Sequence, residues 1–193
     1  MDAAYELIWE YSYGAVTIEA ICEKAGVKKG SFYYFFDSKS DLAMAALNVW
    51  WEERKALAME IFAPEVPPLE RICRYLDYAA EKQLEAYKET GQILGCPIFT
   101  LGSEICAQDE RILGLVHEIL STGARLFETA VRDAQALGQI EGKDAALKGR
   151  LLWAFYEGTL TRARIDNNPD LLYNLSADAM SMIGARTPLA AIA

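Results

Sequence analysis

The chain has 193 residues, of which 52% are hydrophobic and 24% are charged, and its formal net charge at pH 7 is −9. This composition is typical of a folded globular protein, and the acidic total argues against a general nucleic-acid coat protein. One histidine and four cysteines predict neither a zinc site nor a disulfide framework. Because the sequence shows no signal peptide and no run of 18 apolar residues, we expect a cytoplasmic protein without a membrane span.

The positive charge is concentrated in one short segment. Residues 24–39 contain four lysines and one aspartate, a local charge of +3, so the rest of the chain carries about −12. A small basic surface on an acidic body favours DNA binding through one face, because the body would repel DNA elsewhere.

Two short helices and a tight turn are predicted in this region, after a first helix over residues 2–12. The first helix has four apolar residues on one face: Ala4, Leu7, Ile8 and Tyr11. Thr17 is the predicted N-cap of a helix over residues 17–25, and Gly26 is the expected left-handed residue at its end.

The second short helix is predicted over residues 28–34. Val27 is expected to be a buried plug in the turn, and three phenylalanines are expected to face inward: Phe32, Phe35 and Phe36. Asp37 and Ser38 are candidate caps of a longer helix that begins near Lys39. Two helices joined by a glycine-containing turn form a helix-turn-helix, whose second helix enters the major groove of DNA. Its basic start, Lys28-Lys29-Gly30-Ser31, suits an approach to phosphates.

The run from Ala25 to Phe36, followed by Ser38-Lys39 and Leu42, resembles the signature of TetR/AcrR-type transcriptional regulators. The resemblance implies an all-α fold with a three-helix DNA-binding unit over residues 1–46. A helical ligand-binding and dimerisation domain would follow over residues 47–184, with a loose tail over 185–193. A weaker C-terminal match to the same family rests on these positions: Gly95-Cys96, Glu104, Asp109 and the Gly138-Gln-Ile turn.

The resemblance also implies the DNA contacts. The expected phosphate contacts are Thr17, Lys28, Tyr33 and Lys39. Lys28, Lys29 and Lys39 are expected on one exposed side. The expected base contacts are Lys29, Ser31 and Tyr34, and Gly30 would let the backbone approach. Phe35 departs from the family, in which a histidine is usual, so one phosphate contact is expected to be missing. Relatives also carry a further turn before the first helix, often with Arg or Lys, which this sequence does not show.

Helical patterns continue along the rest of the chain. The predicted helices cover residues 39–62, 69–90, a short piece within 98–107, 109–137, 144–166 and 170–183. Val49 is expected on the inner face of the helix over 39–62, and Leu137 on the inner face of the helix over 109–137.

The helix over 144–166 is apolar or small around most of its circumference, so it must be buried on more than one side. With the last helix it is expected to form a four-helix dimer interface, in which three small residues allow close approach: Gly149, Ala154 and Gly158. An arginine at Gly158 or Leu175 is therefore expected to break the dimer.

Aromatic residues are candidates for an effector pocket between helices, as the resemblance implies: Trp50, Phe99, Phe127, Trp153 and Tyr156. The sequence does not name the effector.

Cys96 lies at a helix break beside Pro97, where a helix N-terminus can lower a thiol pKa. Some regulators that resemble this domain sense electrophiles or oxidants through a thiol, so Cys96 is a candidate sensor, while Cys22 and Cys73 are expected in the core. A small buried thiol without a role is the alternative.

Catalytic, metal and cofactor motifs are not recognised in the sequence. His117-Glu118 lacks the second histidine of a zinc protease, and Gly102-Ser103 lacks the flanks of a nucleophile elbow. The predicted function is a ligand-responsive homodimeric regulator, a repressor released from a palindromic double-stranded operator by a small molecule. The alternative from another class is a small-molecule carrier or helical hydrolase that kept the fold, and salt-dependent retention on an operator column would separate the two.

Overall fold

The structure is a computed structural model that describes residues 1–105 and 109–185. The described residues form α-helices and no strand. The helices are α1 (Asp2–Tyr11), α2 (Ile18–Ala25), α3 (Lys29–Phe35), α4 (Lys39–Ile61), α5 (Pro68–Thr90), α6 (Pro97–Ile105), α7 (Glu110–Ala136), α8 (Ala145–Asp166) and α9 (Leu175–Ile183). The predicted all-α fold is therefore confirmed. Cys106 and the tail beyond Ala185 lie outside the described residues.

The chain divides into two compact units, with the boundaries inside α4 and α7 and between Gly95 and Cys96. The first unit contains Met1–Lys55 and Cys96–Ile119. Its core joins the first four helices through seven buried residues: Ala4, Val16, Ile21, Cys22, Phe32, Leu42 and Ala46. The caps agree with the sequence. Thr17 Oγ1 accepts the Ala20 amide at 3.1 Å, and Gly26 has φ 67° at the end of α2.

In this first unit, four residues predicted to be inside are exposed. Val27 is 48% exposed and Phe35 is 72% exposed, while Tyr11 and Val49 also face outward. Phe32 and the partly buried Phe36 lie four residues apart and define the inner direction of α3, so Phe35 is rotated about 100° away from Phe36. The Val27 amide closes α2 by donating to Cys22 O, and its side chain stays outside the turn. Burial along α4 follows Leu47 and Trp51 instead of Val49.

The second unit contains Ala56–Gly95 and the described residues 120–185. Its core is built by α5, α7, α8 and α9, and its largest fully buried side chains include Ile72, Leu76, Phe127, Val131, Leu152, Leu160 and Leu175. The predicted last helix is divided into a 3-10 turn, Pro169–Leu172, and α9, and the Asn168 side chain caps the 3-10 turn by accepting the Asp170 amide. Leu137 is exposed, since α7 ends at Ala136.

Two buried polar side chains in this unit had no signal in the sequence. Arg71 donates to Val66 O, to Pro64 O and to the Asp133 carboxylate, so it fixes the turn between α4 and α5. Gln83 accepts from the Leu94 and Gly95 amides and donates to Gly95 O. Both side chains bind loop backbone groups, and those bound by Gln83 would otherwise be buried without hydrogen bonds.

Candidate DNA interface and effector site

The outer face of α3 is the candidate DNA interface. Gly30, Ser31, Tyr33, Tyr34 and Phe35 are all exposed, and Tyr34 reaches 81%. A Cβ added at Gly30 would meet nothing within 4 Å, so this part of the helix surface is open. The Tyr34 and Phe35 rings pack edge to face, with centroids 4.8 Å apart. The residues expected to contact bases therefore share one accessible surface.

The lysines of the interface differ in their surroundings. Lys28 is exposed and makes no ion pair within the described residues. Lys29 is bound to the Glu19 carboxylate on α2, and its Nζ lies 6.0 Å from the centroid of the Tyr33 ring. The hydrogen bond between the two side chains lowers the pKa of Glu19 and raises the pKa of Lys29. Both side chains face solvent, so the pair stabilises the fold little and mainly restrains the lysine.

Lys39 is half-buried and does not lie on the exposed side where the sequence placed it. Its Nζ donates to Tyr13 O and Val16 O at 2.8 Å each, and it lies 4.1 Å from the centroid of the Tyr13 ring. Burial lowers the pKa of the Lys39 ammonium. Two of the three N–H donors of Lys39 therefore hold the segment between α1 and α2. The carbonyls of this segment are free to accept because they follow the end of α1 and have no helical partner.

A polar network fixes the start of α4 within the same unit. Ser38 Oγ accepts the Asp41 amide at 3.1 Å, and Ser40 Oγ donates to Asp109 Oδ2 at 2.5 Å. Arg111 joins the Asp41 and Asp109 carboxylates at 2.7 and 3.0 Å. Its hydrogen bond holds the pKa of Asp109 well below the usual range. The sequence predicted the Ser38 cap, but the Arg111–Asp41 pair joins residues 70 positions apart and had no local signal.

The predicted effector residues are divided between the two units. Phe127, Trp153 and Tyr156 lie in the second unit within an aromatic cluster completed by Phe62 and Tyr75, with ring centroids 5.3–6.2 Å apart. Trp50 instead stacks on Tyr5 in the first unit, at 6.0 Å. Phe99 also belongs to the first unit and is exposed.

Trp153 has a feature that suits ligand binding. Its Nε1 is buried and finds no acceptor within the described residues. Its ring lies against Gly123, where an added Cβ would come within 2.2 Å of the indole. A ligand that carries a hydrogen-bond acceptor would satisfy this buried indole N–H inside the aromatic cluster.

The three cysteines in the described residues lie where the sequence placed them. Cys22, Cys73 and Cys96 are buried, and Cys96 directly precedes α6, with its carbonyl accepting the Thr100 amide at 3.1 Å. Burial raises the pKa of the Cys73 thiol to about 11, so it is protonated at neutral pH. The sensor role of Cys96 stays a prediction. His117 is exposed on α7, and no group of potential metal ligands occurs in the described part of the chain.

Comparison with known proteins decides the family. Residues 1–46 match the model of bacterial regulatory proteins of the tetR family, and residues 68–177 match the tetracyclin repressor-like C-terminal domain. The chain belongs to the TetR family of transcriptional regulators. It is therefore a DNA-binding regulator and not an enzyme, as the sequence predicted, and TetR-family regulators bind operator DNA as dimers.

Similar proteins agree with this assignment. Transcriptional regulator AcuR of Cereibacter sphaeroides is 28% identical over 176 residues, which are 90% of this chain and 78% of AcuR. The transcriptional repressor DhaR of Mycobacterium sp. strain GP1 is 24% identical over 175 residues, covering 89% of this chain and 84% of DhaR. The crystal structure of regulatory protein TetR from Rhodobacter sphaeroides has a TM-score of 0.79 at 28% identity and covers 92% of this chain and 93% of that one. Among the described residues, no helix is long and apolar enough to cross a membrane.

Proposed function

We propose that this TetR-family member is a repressor that a small molecule releases from a palindromic operator in the cytoplasm. The observation that carries the proposal is the open outer face of α3 on a helix-turn-helix whose first helix, α2, is capped by Thr17 and Gly26. DhaR, a relative along most of the chain, is a repressor, which favours repression over activation. We place DNA binding in residues 1–46, and effector binding and dimerisation in 47–184.

The exposed residues divide by the contacts that their chemistry allows. Lys28, Thr17 and Tyr33 would bind phosphates, and Lys29, Ser31 and Tyr34 would reach base edges. Gly30 lets the α3 backbone approach the groove, since nothing lies above it. Lys39 acts indirectly by holding the segment before α2, because two of its donors are already used.

Salt dependence of operator binding tests the DNA contacts. A duplex is selected from a random pool with the full-length protein, and its affinity is measured by fluorescence anisotropy at several salt concentrations. If Lys28 binds one phosphate per subunit, Lys28→Ala should make the negative slope of log K against log salt shallower, by about 0.9 for each contact that is lost. The control is Lys143→Ala, which removes an exposed lysine from the turn before α8. Equal slopes for both variants and the wild type would contradict the docking, and failure to select any duplex would contradict the function.

Effector release is tested separately. We expect the aromatic cluster around Trp153 to open for an apolar ligand that carries a hydrogen-bond acceptor, which the buried indole N–H would satisfy. A thermal-shift screen of metabolites finds candidates, and anisotropy with the selected duplex shows whether each candidate lowers operator affinity. Trp153→Phe keeps an aromatic ring but removes the donor, so it should weaken the thermal shift. An effector that leaves operator affinity unchanged or raises it would contradict induction, and a rise would indicate a corepressor.

A two-fold dimer is the third part of the proposal, because a palindrome has two half-sites. Helix α8 carries an exposed apolar stripe at helical spacing, defined by Leu147, Leu151, Ala154, Gly158 and Ile165. Gly158 has nothing within 4 Å of an added Cβ, so a second helix could approach it closely. Gly149, in contrast, packs on the backbone of α7 in the same subunit.

A further inference from the structure

Helix α3 lacks most of the side chains that identify bases by paired hydrogen bonds. Its sequence, KGSFYYF, contains no Arg, Asn, Gln, Asp or Glu. Guanine, adenine and cytosine are usually recognised through such residues, or through Lys at guanine. The one lysine in the helix, Lys29, is restrained by Glu19. Apart from this restrained lysine, hydrogen bonding from the side chains of α3 is limited to the hydroxyls of Ser31, Tyr33 and Tyr34.

An apolar surface takes the place of these groups. Phe35 is 72% exposed, and the Tyr34 ring supports it edge to face at 4.8 Å. From Lys29 to Phe35 the helix rises about 9 Å, so the whole outer face fits within a major groove about 12 Å wide. The pair is therefore an apolar surface on the element that a helix-turn-helix inserts into that groove.

We propose that Phe35, supported by Tyr34, determines operator specificity by packing on the 5-methyl group of thymine. The inference rests on the proposed DNA docking, in which a phosphate contact is lost at position 35 because phenylalanine stands in place of the usual histidine. It names the base that the phenylalanine ring contacts instead. Thymine is the one base that presents a methyl group in the major groove, and Phe is among the side chains that contact it. Burying that methyl against the ring removes apolar surface of both partners from water. Each half-site should therefore hold a T·A pair opposite Phe35.

The test removes only the methyl group. In the selected duplex, each thymidine is replaced in turn by 2′-deoxyuridine, which keeps the hydrogen-bonding edge and the phosphate. For the wild-type protein, one or two symmetry-related positions should each weaken binding about fourfold, the ratio that corresponds to one buried methylene-sized group. The salt slope should stay the same, because no phosphate contact is lost.

The variant Phe35→Ala assigns the effect to this ring. It should bind the thymine duplex more weakly than the wild type, and it should not distinguish thymine from deoxyuridine at the sensitive positions. Leu137→Ala removes an equally exposed apolar side chain after α7 and should keep the full discrimination. Circular dichroism checks that both variants fold, which is expected because neither side chain is buried.

The outcomes separate this inference from the function on which it rests. Salt-dependent binding that tolerates deoxyuridine at every position would overturn the methyl contact and leave the regulator intact. Discrimination that persists in Phe35→Ala would overturn the assignment to this ring. If no duplex is selected by the wild-type protein, the DNA-binding function itself fails, and the inference fails with it.

Discussion

At the residue scale, the ion pair with Glu19 restrains the Lys29 ammonium, a positive charge that the DNA phosphates would otherwise attract. The carboxylate lies on α2 and holds the ammonium against the Tyr33 side of α3. It also contributes negative charge beside the DNA-facing surface. In the free protein, the N-cap residue Lys28 is therefore more available to DNA than Lys29, the first residue of α3.

Removing this carboxylate should strengthen DNA binding. Glu19→Gln releases Lys29 and deletes one repulsive charge per subunit, so operator affinity and the salt slope should both increase, the slope by up to about 0.9 for each phosphate that Lys29 then reaches. Thermal stability should change little, because exposed pairs contribute about 0–1 kcal/mol. Anisotropy titrations over a salt series measure the effect.

The matched control is Glu23→Gln, which removes the same charge one turn further along α2 without touching Lys29. Similar gains in the two variants would show that only the net charge matters. A loss of affinity in Glu19→Gln would show instead that the ion pair holds Lys29 in its bound position.

Residue-level predictions were right where a local rule determines the conformation. Thr17 and Gly26 are fixed by the free amides and the left-handed end of one short helix, and both were predicted. The burial of Phe35 was predicted wrongly, because a seven-residue helix with four aromatics gives no sequence signal for its inner side. The role of Lys39 was missed because its partners are backbone carbonyls more than 20 residues earlier, and backbone acceptors leave no mark in the sequence.

At the element scale, the packing of α8 on α7 depends on Gly149. An added Cβ there would lie 2.6 Å from the Glu128 backbone, which cannot move without displacing α7. The sequence predicted close helix approach at this glycine but assigned it to the dimer. Whether a small residue packs on a helix of its own subunit or on a partner subunit depends on which helix lies beside it. The periodicity of one helix does not contain that information.

A pair of glycine substitutions tests this contact. Gly149→Ala should lower the free energy of unfolding by about 1–3 kcal/mol, since overpacking outweighs the gain in helix propensity. Gly114→Ala, in α7 with nothing within 4 Å of the new methyl, should instead stabilise by about 0.5–1 kcal/mol. Chemical denaturation followed by circular dichroism measures both. A neutral or stabilising Gly149→Ala would show that the two helices can separate at this point without cost.

The helix boundaries show what patterns can and cannot predict. Asp144 caps α8 through the Leu147 amide at 2.8 Å, and both ends of that helix follow from its cap and from Asn167. The division of the last helix at residues 173–174 was missed, because leucines continue at helical spacing through the break. Arg71 and Gln83 were likewise unpredictable, since they satisfy the backbone of loops whose course depends on packing.

At the scale of the whole molecule, the charge distribution limits DNA contact to one region of each subunit. A body of about −12 repels the duplex, so affinity must come from the few cations near α3 and from apolar contact. Two copies of this surface on one palindrome add their contributions, provided that the dimer holds them together. Dimerisation is thus a condition of tight binding.

The apolar stripe of α8 should form that dimer. Leu151→Arg places a charge in the middle of the stripe, where it would be buried without a partner, so light scattering should show half the mass of the wild type and operator affinity should fall steeply. The arginine at Leu175 suggested by the sequence is unsuitable, because Leu175 is fully buried within its own subunit and the variant would report on folding. Leu137→Arg adds the same charge at an exposed leucine outside the stripe and should remain dimeric. A wild-type protein that is monomeric at micromolar concentration would contradict the dimer, whereas a Leu151→Arg protein that stays dimeric would show that another surface of the subunit makes the two-fold contact.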